Sequence, residues 1–312
     1  MSHHALAMLY GIVGTVLFNI SKGMQRQGIE AVSVIFPARR RPPSPDRPAP
    51  SPKIITLYIT GFILNNSLGF FAILANRHAP SSYFTSMFGL GIIALMLYSG
   101  LILKEPIHPR QYAGAAVLAL GTLVLGYDGI AREDLTMAGI SLTAVGAMVG
   151  LSFLTAALLL HWAHRTRSLL FLGMIYGLVI GFTASLDPVL KGIGQTLGGG
   201  ERYLPRLSWG WVIFLLSFLF ATLSFVASQW IFRRGVRASV LIPSQNFSYI
   251  VYPLFLQAVA LPGFRLTAVT LSGLLITFLG FVIMHIPGQP KGFPLRRNGG
   301  TSDAHTPSGQ PG

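Results

Sequence analysis

Residues 168–186 read SLLFLGMIYGLVIGFTASL, without a single charged side chain. A helix must supply about 20 mostly apolar residues to cross the hydrocarbon of a bilayer, and this run approaches that length. It is apolar on every side and lacks the alternation of a lipid-facing barrel strand, so it can span only as a helix. Comparable stretches flank it at roughly 5–21, 54–74, 82–103, 111–127, 136–160, 209–232, 238–261 and 266–286. Short loops between them hold nearly all the charge. The pattern predicts an all-α, polytopic membrane bundle of about nine transmembrane helices.

Composition points the same way. Of 312 residues, 52% are apolar and 10% charged, and the mean hydropathy is +0.59, whereas a soluble domain is about one-quarter charged. The net charge of +14 would suggest nucleic acid for a soluble protein. Here Lys and Arg sit beside membrane ends, where anionic headgroups attract them, and no basic patch interleaved with aromatics lies in a soluble domain; no nucleic-acid partner is expected. Cysteine is absent, which removes disulfides, thiolate metal sites and cysteine nucleophiles.

Alternate loops differ in charge. On one side lie Lys22, Arg26, Arg39, Arg40, Arg41, Arg47, Lys53, Lys104, Arg110, Arg165, Arg167, Arg233, Arg234, Arg237, Lys291, Arg296 and Arg297; opposite them are only Arg77, Arg132, Lys191, Arg202, Arg206 and Arg265. The positive-inside rule places the richer side in the cytoplasm, with the C-terminus inside and the N-terminus outside. The first stretch does not read as a cleaved signal peptide, because residues 1–4 hold no Lys or Arg and a basic segment follows.

One membrane domain is expected over 1–286, its halves at about 5–127 and 136–286. Residues 37–53, PARRRPPSPDRPAPSPK, cannot form a continuous helix, because proline lacks an amide donor and clashes with the preceding turn. They read as part of a cytoplasmic Pro/Arg-rich loop, 31–53, in contact with lipid headgroups. The Gly-, Pro- and Ser-rich tail, 287–312, reads as disordered.

An internal repeat emerges by residue. Arg77 and Ser82 match Arg234 and Ser239 at a spacing of 157, and Gly114 and Gly121 match Gly273 and Gly280 at 159. Spans three and four thus pair with eight and nine. Five spans apart, they run in opposite senses, which is the inverted repeat typical of secondary transporters, whose substrate sites lie between the halves near mid-membrane.

Three stretches carry a family likeness: 14–28 (GTVLFNISKGMQRQG), 70–105 (FFAILANRHAPSSYFTSMFGLGIIALMLYSGLILKE) and 239–261, with Pro243 near a helix opening. The chain resembles the drug/metabolite transporter superfamily, EamA-like, and within it most the NIPA-type magnesium transporters. The resemblance implies alternating-access transport of a small solute or ion between two inverted halves, with Mg²⁺ as substrate in the NIPA-like alternative and no cofactor. Departures from the family pattern are Ser86 in place of a helix proline, Asn65 and Asn66 where a carboxylate tends to stand, and Ser244-Gln245 in place of a tyrosine pair. Magnesium prefers carboxylate and water oxygens, so these departures favour a different solute.

Polar residues inside hydrocarbon spans are costly unless paired or facing an aqueous cavity. Asn19, Asn65, Asn66, Gln229, Gln245, Tyr249 and Tyr252 are the candidate substrate-binding residues, and helix–helix hydrogen bonding is the alternative reading of each. Gln245, Tyr249 and Tyr252 share a helical face. An amide-lined cavity near mid-membrane suits a neutral or zwitterionic organic solute. Asp187 is the candidate cation ligand near one mouth; Pro188 should end its helix there. Glu105 reads as a loop ion pair with Lys104, His161 and His164 as interfacial anchors beside Trp162, and Gly173, Gly177 and Gly181 as a close-packing stripe. No catalytic dyad, paired intramembrane carboxylates, nucleophile elbow or phosphate loop is legible, so no enzyme is expected. A structural or lipid-interacting membrane protein is the remaining alternative, and both monomer and homodimer are compatible with the chain.

Overall fold

The computed structural model describes residues 3–286, apart from 33–49, 132–134, 136, 138, 167, 198, 200 and 201. Most of the Pro/Arg-rich loop and all of the tail lie outside the described residues. The helices are α1 His3–Gln27, α2 Pro52–Asn76, α3 Ser81–Ser86, α4 Phe88–Leu101, α5 Pro109–Ile130, α6 Leu142–Arg165, α7 Leu169–Thr196, α8 Ser208–Arg233, α9 Ala238–Ala260 and α10 Ala268–His285. With α3 and α4 counted as one interrupted pass, the described residues make nine passes between two ends, which we call the His3 end and the Gln27 end.

Helix starts are set by residues that satisfy or dispense with free amides, as a low-dielectric surrounding demands. Pro52 and Pro109 open α2 and α5. Ser141 and Ser168 accept from the amides of Ala144 and Phe171, both at 3.3 Å. Thr267 accepts from the Thr270 amide at 3.0 Å. Glu105 accepts from the amides of Ala238 and Ser239, each at 3.1 Å, and so caps α9 across a loop. This corrects the expectation that it pairs with Lys104.

Three boundaries depart from expectation. The third pass breaks at Met87, because hydroxyls of Ser82, Thr85 and Ser86 crowd α3 and two of them compete for its own carbonyls: Thr85 bonds the Ser82 carbonyl and Ser86 that of Tyr83. The fifth starts at Leu142, behind its Ser141 cap. The sixth does not stop at Pro188. α7 runs on to Thr196, and the Pro188 carbonyl accepts from Asn76 of α2 at 2.8 Å. Proline costs α7 one hydrogen bond; ending the helix in the bundle interior would leave several unpaired.

Packing is pairwise. α1 lies along α2, α7 along α8, and α5 along α10, while α9 runs between α7 and α4 and α6 sits at the edge against α7 and α9. Glycine permits the tightest approaches. Gly177 of α7 meets α9 so closely that a methyl group there would lie 2.5 Å from the Leu241 carbonyl oxygen, and Gly114 faces Gly280 as Gly121 faces Gly273 across α5 and α10. Eight passes are long and apolar enough to cross a bilayer. The ninth, α9, falls short because it carries Ser244, Gln245, Asn246 and Gln257, all buried.

The outside is apolar and the inside partly polar, the reverse of a soluble protein. Ile63, Phe70, Leu158, Leu215 and Leu275 are each more than half exposed. So wide an apolar surface calls for lipid, and the chain is an integral, multi-pass membrane protein. His3 and His78 meet at one end and Gln27 and Tyr98 at the other. α10 finishes at the Gln27 end, so the described chain begins and ends on opposite faces.

Candidate functional site

Polar side chains form a file through the bundle, contributed by α1, α2, α7, α8 and α9. At its centre Asn246 donates to the Asn19 side-chain oxygen at 2.9 Å, and Asn19 donates to the Thr15 carbonyl and hydroxyl at 2.9 and 3.1 Å. The Thr15 hydroxyl donates to the Phe88 carbonyl at 3.1 Å. Tyr249 stacks on the Phe88 ring with centroids 3.9 Å apart. One knot thus joins α1, α4 and α9 where the interrupted third pass crosses them.

Beside this knot lie groups with no hydrogen-bond partner among the described residues. Both amide atoms of Gln245, the Tyr249 hydroxyl and the Asn246 side-chain oxygen are enclosed and unpaired. Gln245 and Tyr249 are each 1% exposed. The Asn65 side-chain oxygen is likewise enclosed and unpaired. Asn65 falls one turn from Gly61, which abuts α1, and one turn from Gly69, which lies beside the Lys191 ammonium; this sets Asn65 on the inner face of α2. Each such group costs about 1–3 kcal/mol, and together they amount to a large fraction of a domain's stability.

Toward the His3 end, Asp187 and Lys191 form a buried ion pair one turn apart on α7. The Lys191 ammonium also lies 4.1 Å from the centre of the Phe218 ring of α8. Toward the Gln27 end, Gln229 donates to Gln25 at 2.7 Å and accepts from the Tyr58 hydroxyl at 3.1 Å, and Gln25 donates to the Gly61 carbonyl at 3.1 Å. These bonds close that end by tying α1, α2 and α8 together.

Between the knot and the Gln27 seal lies Lys22. It is 1% exposed, and no acceptor approaches its ammonium among the described residues. Two aromatic rings do: Phe18 at 5.0 Å and Phe225 of α8 at 5.6 Å to their centres. Such contacts are worth about 0.5–2 kcal/mol, less than the several kcal/mol that burying one charge costs. Lys22 therefore lacks a counter-charge among the described residues.

Of the sequence-predicted residues, Asn19 and Tyr249 belong to the knot, Gln245 lies one turn from Tyr249 on α9, Asn65 lies on the inner face of α2, and Gln229 belongs to the seal. Asn66 does not join them: it is exposed and bonds the Phe62 carbonyl of its own helix at 2.8 Å. α2 buries a single stripe, and a step of one residue turns a helical side chain through about 100°, so Asn66 is carried off the face that Asn65 shares with Gly61 and Gly69. Tyr252 packs on Phe182 of α7, with ring centroids 5.4 Å apart. A shallow recess nearer the His3 end is lined by Ser82, Ser86, Asp128 and Thr270 among others, and by none of the predicted residues. Asp128 there accepts from Thr267 and Thr270 at 2.7 and 2.6 Å, joining α5 to α10.

Sequence reasoning missed Lys22, Lys191 and Asn246 as interior residues. Both lysines read as loop charges because each lies near the end of its apolar run. The signal that finds them is a shared Lys-Gly pair, Lys22-Gly23 and Lys191-Gly192, each lysine five residues before its helix's last residue, Gln27 or Thr196. Among the described residues no group of three or more His, Asp or Glu is placed to hold a metal ion. No protein-family model, no curated protein and no solved structure matches the chain.

Proposed function

We propose that this chain is a secondary transporter of the drug/metabolite transporter type, moving a small organic solute between the two ends of the bundle. The observation that carries the reading is Gln245. Its amide is enclosed at mid-bundle with neither atom paired, beside a Tyr249 hydroxyl and an Asn246 oxygen in the same condition. In hydrocarbon such groups persist where a bound solute supplies their partners.

Two inverted halves would do the work. The contact of α1 with α2 and with α4 is repeated by that of α7 with α8 and with α9. Gly114 facing Gly280 exchanges with Gly273 facing Gly121, as a two-fold axis in the membrane plane requires, and α6 is the pass without a counterpart. The knot and the unpaired groups would lie between these halves, with the Gln25–Gln229–Tyr58 bonds toward one end and the Asn76–Pro188 bond toward the other, an arrangement that alternating access can use. The loop charges support an N-terminus outside and a cytoplasmic C-terminus.

An organic solute fits better than Mg²⁺. The carboxylate that the sequence offers as cation ligand, Asp187, has its charge matched by Lys191, and amides compensate a divalent ion poorly. Reconstituted vesicles offered Mg²⁺, zwitterionic amino acids, amphiphilic amines and organic anions should show uptake of an organic probe that falls at least tenfold in Gln245→Leu, with Mg²⁺ uptake at the level of protein-free vesicles. Mg²⁺ uptake abolished by Asp187→Asn would support the magnesium reading instead. Fluxes equal to protein-free vesicles for every probe, from folded and inserted protein, would end the transport reading.

A further inference from the structure

Lys22 and Lys191 occupy matching places. Each is followed by glycine, lies five residues before the end of its helix and is 1% exposed, and α1 and α7 pack in the same way on their successors α2 and α8. Each ammonium also meets an aromatic ring of α8. They differ one turn earlier. Lys191 has Asp187 there and forms an ion pair with it; Lys22 has Phe18. The chain therefore builds in a counter-ion for one buried ammonium and leaves the other without one among the described residues.

From this difference we infer that Lys22 binds an anionic group of the transported solute, a carboxylate or a phosphate, whose polar body reaches the unpaired amide of Gln245. Asn19, one turn from Lys22 and bonded to Asn246, connects the two points. The inference rests on the transport reading. It narrows the substrate to an organic anion and opposes a metal cation, which the ammonium repels. The rings of Phe18 and Phe225 hold the ammonium in place without neutralising it, so the anion gains a preorganised, water-poor partner.

The test uses the full chain purified in dodecyl maltoside, a detergent that carries no anion, with thermal unfolding followed by tryptophan fluorescence. Probes are acetate, glutarate, inorganic phosphate and sulfate, with choline chloride and glutamine as controls. At least one anion should raise the Tm saturably by several degrees, and the controls should not. Lys22→Gln should abolish the rise, and Lys22→Arg should keep it. Lys22→Met, free of the unpaired charge, should unfold at or above the wild-type Tm without ligand; a lysine that merely holds the fold would give a lower value. No response to any of the four anions overturns the inference, as does a response unchanged in Lys22→Gln. A rise given by phosphatidylglycerol but by no soluble anion overturns it too, assigning the site to a lipid headgroup. Uptake of a non-anionic probe that needs Gln245 but not Lys22 removes the anion and leaves transport standing. Anion-dependent Tm without flux of any probe removes transport and leaves the anion site.

Discussion

Asp187 and Lys191 hold opposite charges where no bulk water reaches, and each is tolerable only because of the other. Removing one partner should be far worse than removing both. Asp187→Ala leaves a buried ammonium and should cost about 3–5 kcal/mol, whereas Asp187→Leu with Lys191→Met should restore most of that; unfolding midpoints of the three proteins in detergent check the order. At this scale the sequence reveals residue type more readily than direction. Asn65 and Asn66 look alike in the chain, yet one faces the polar interior and the other lipid. Asp187 is conspicuous as a lone acid after a long apolar run, but its partner lies beyond Pro188, where a break is the natural expectation. What overturns that expectation is the surrounding medium, since a helix in hydrocarbon keeps every backbone bond it can.

At the scale of the element, apolar run length makes all nine passes legible, while their ends are settled by caps and by contacts distant in sequence. Glu105 illustrates this: it sits beside Lys104 in the chain and binds the start of α9 in space. Glu105→Ala should lower stability by about 0.5–2 kcal/mol, and faster hydrogen exchange confined to the amides of Ala238 and Ser239 would identify the lost cap. Helix contact through glycine is stricter. Gly177→Leu would drive a side chain into the α9 backbone at Leu241, and a loss of more than about 3 kcal/mol, or failure to fold, is expected. Leu at Gly146, whose surroundings are open, should be nearly neutral in the same unfolding assay.

For the whole molecule, charge asymmetry governs insertion. Setting aside Lys22 and Lys191, which lie within helices, leaves the imbalance between loop sets intact. Replacing Arg39, Arg40 and Arg41 with Gln should therefore leave orientation unchanged, whereas removing Arg26, Arg47 and Lys53 as well should give a mixed population. Protease access to an epitope at Ala49 reads the result. The proposed repeat is legible at this scale only through a few arginine, serine and glycine positions that pattern poorly by eye. Its polar centre is less so, because Asn246 and Lys22 become neighbours of the other groups only once α1, α4 and α9 cross.

The glycine crossing of α5 and α10 has a use beyond stability. Gly114 against Gly280 and Gly121 against Gly273 bring two backbones together with no side chain to yield between them, so sliding one helix past the other would drive main chain into main chain. In the transport reading proposed above, that contact is the fixed datum of the motion. Because the chain has no cysteine, thiol spin labels can be placed at will: a pair at Leu120 and Leu275, both outward-facing, should report one unchanging separation with and without solute. Every other distance in the bundle can be measured from that line.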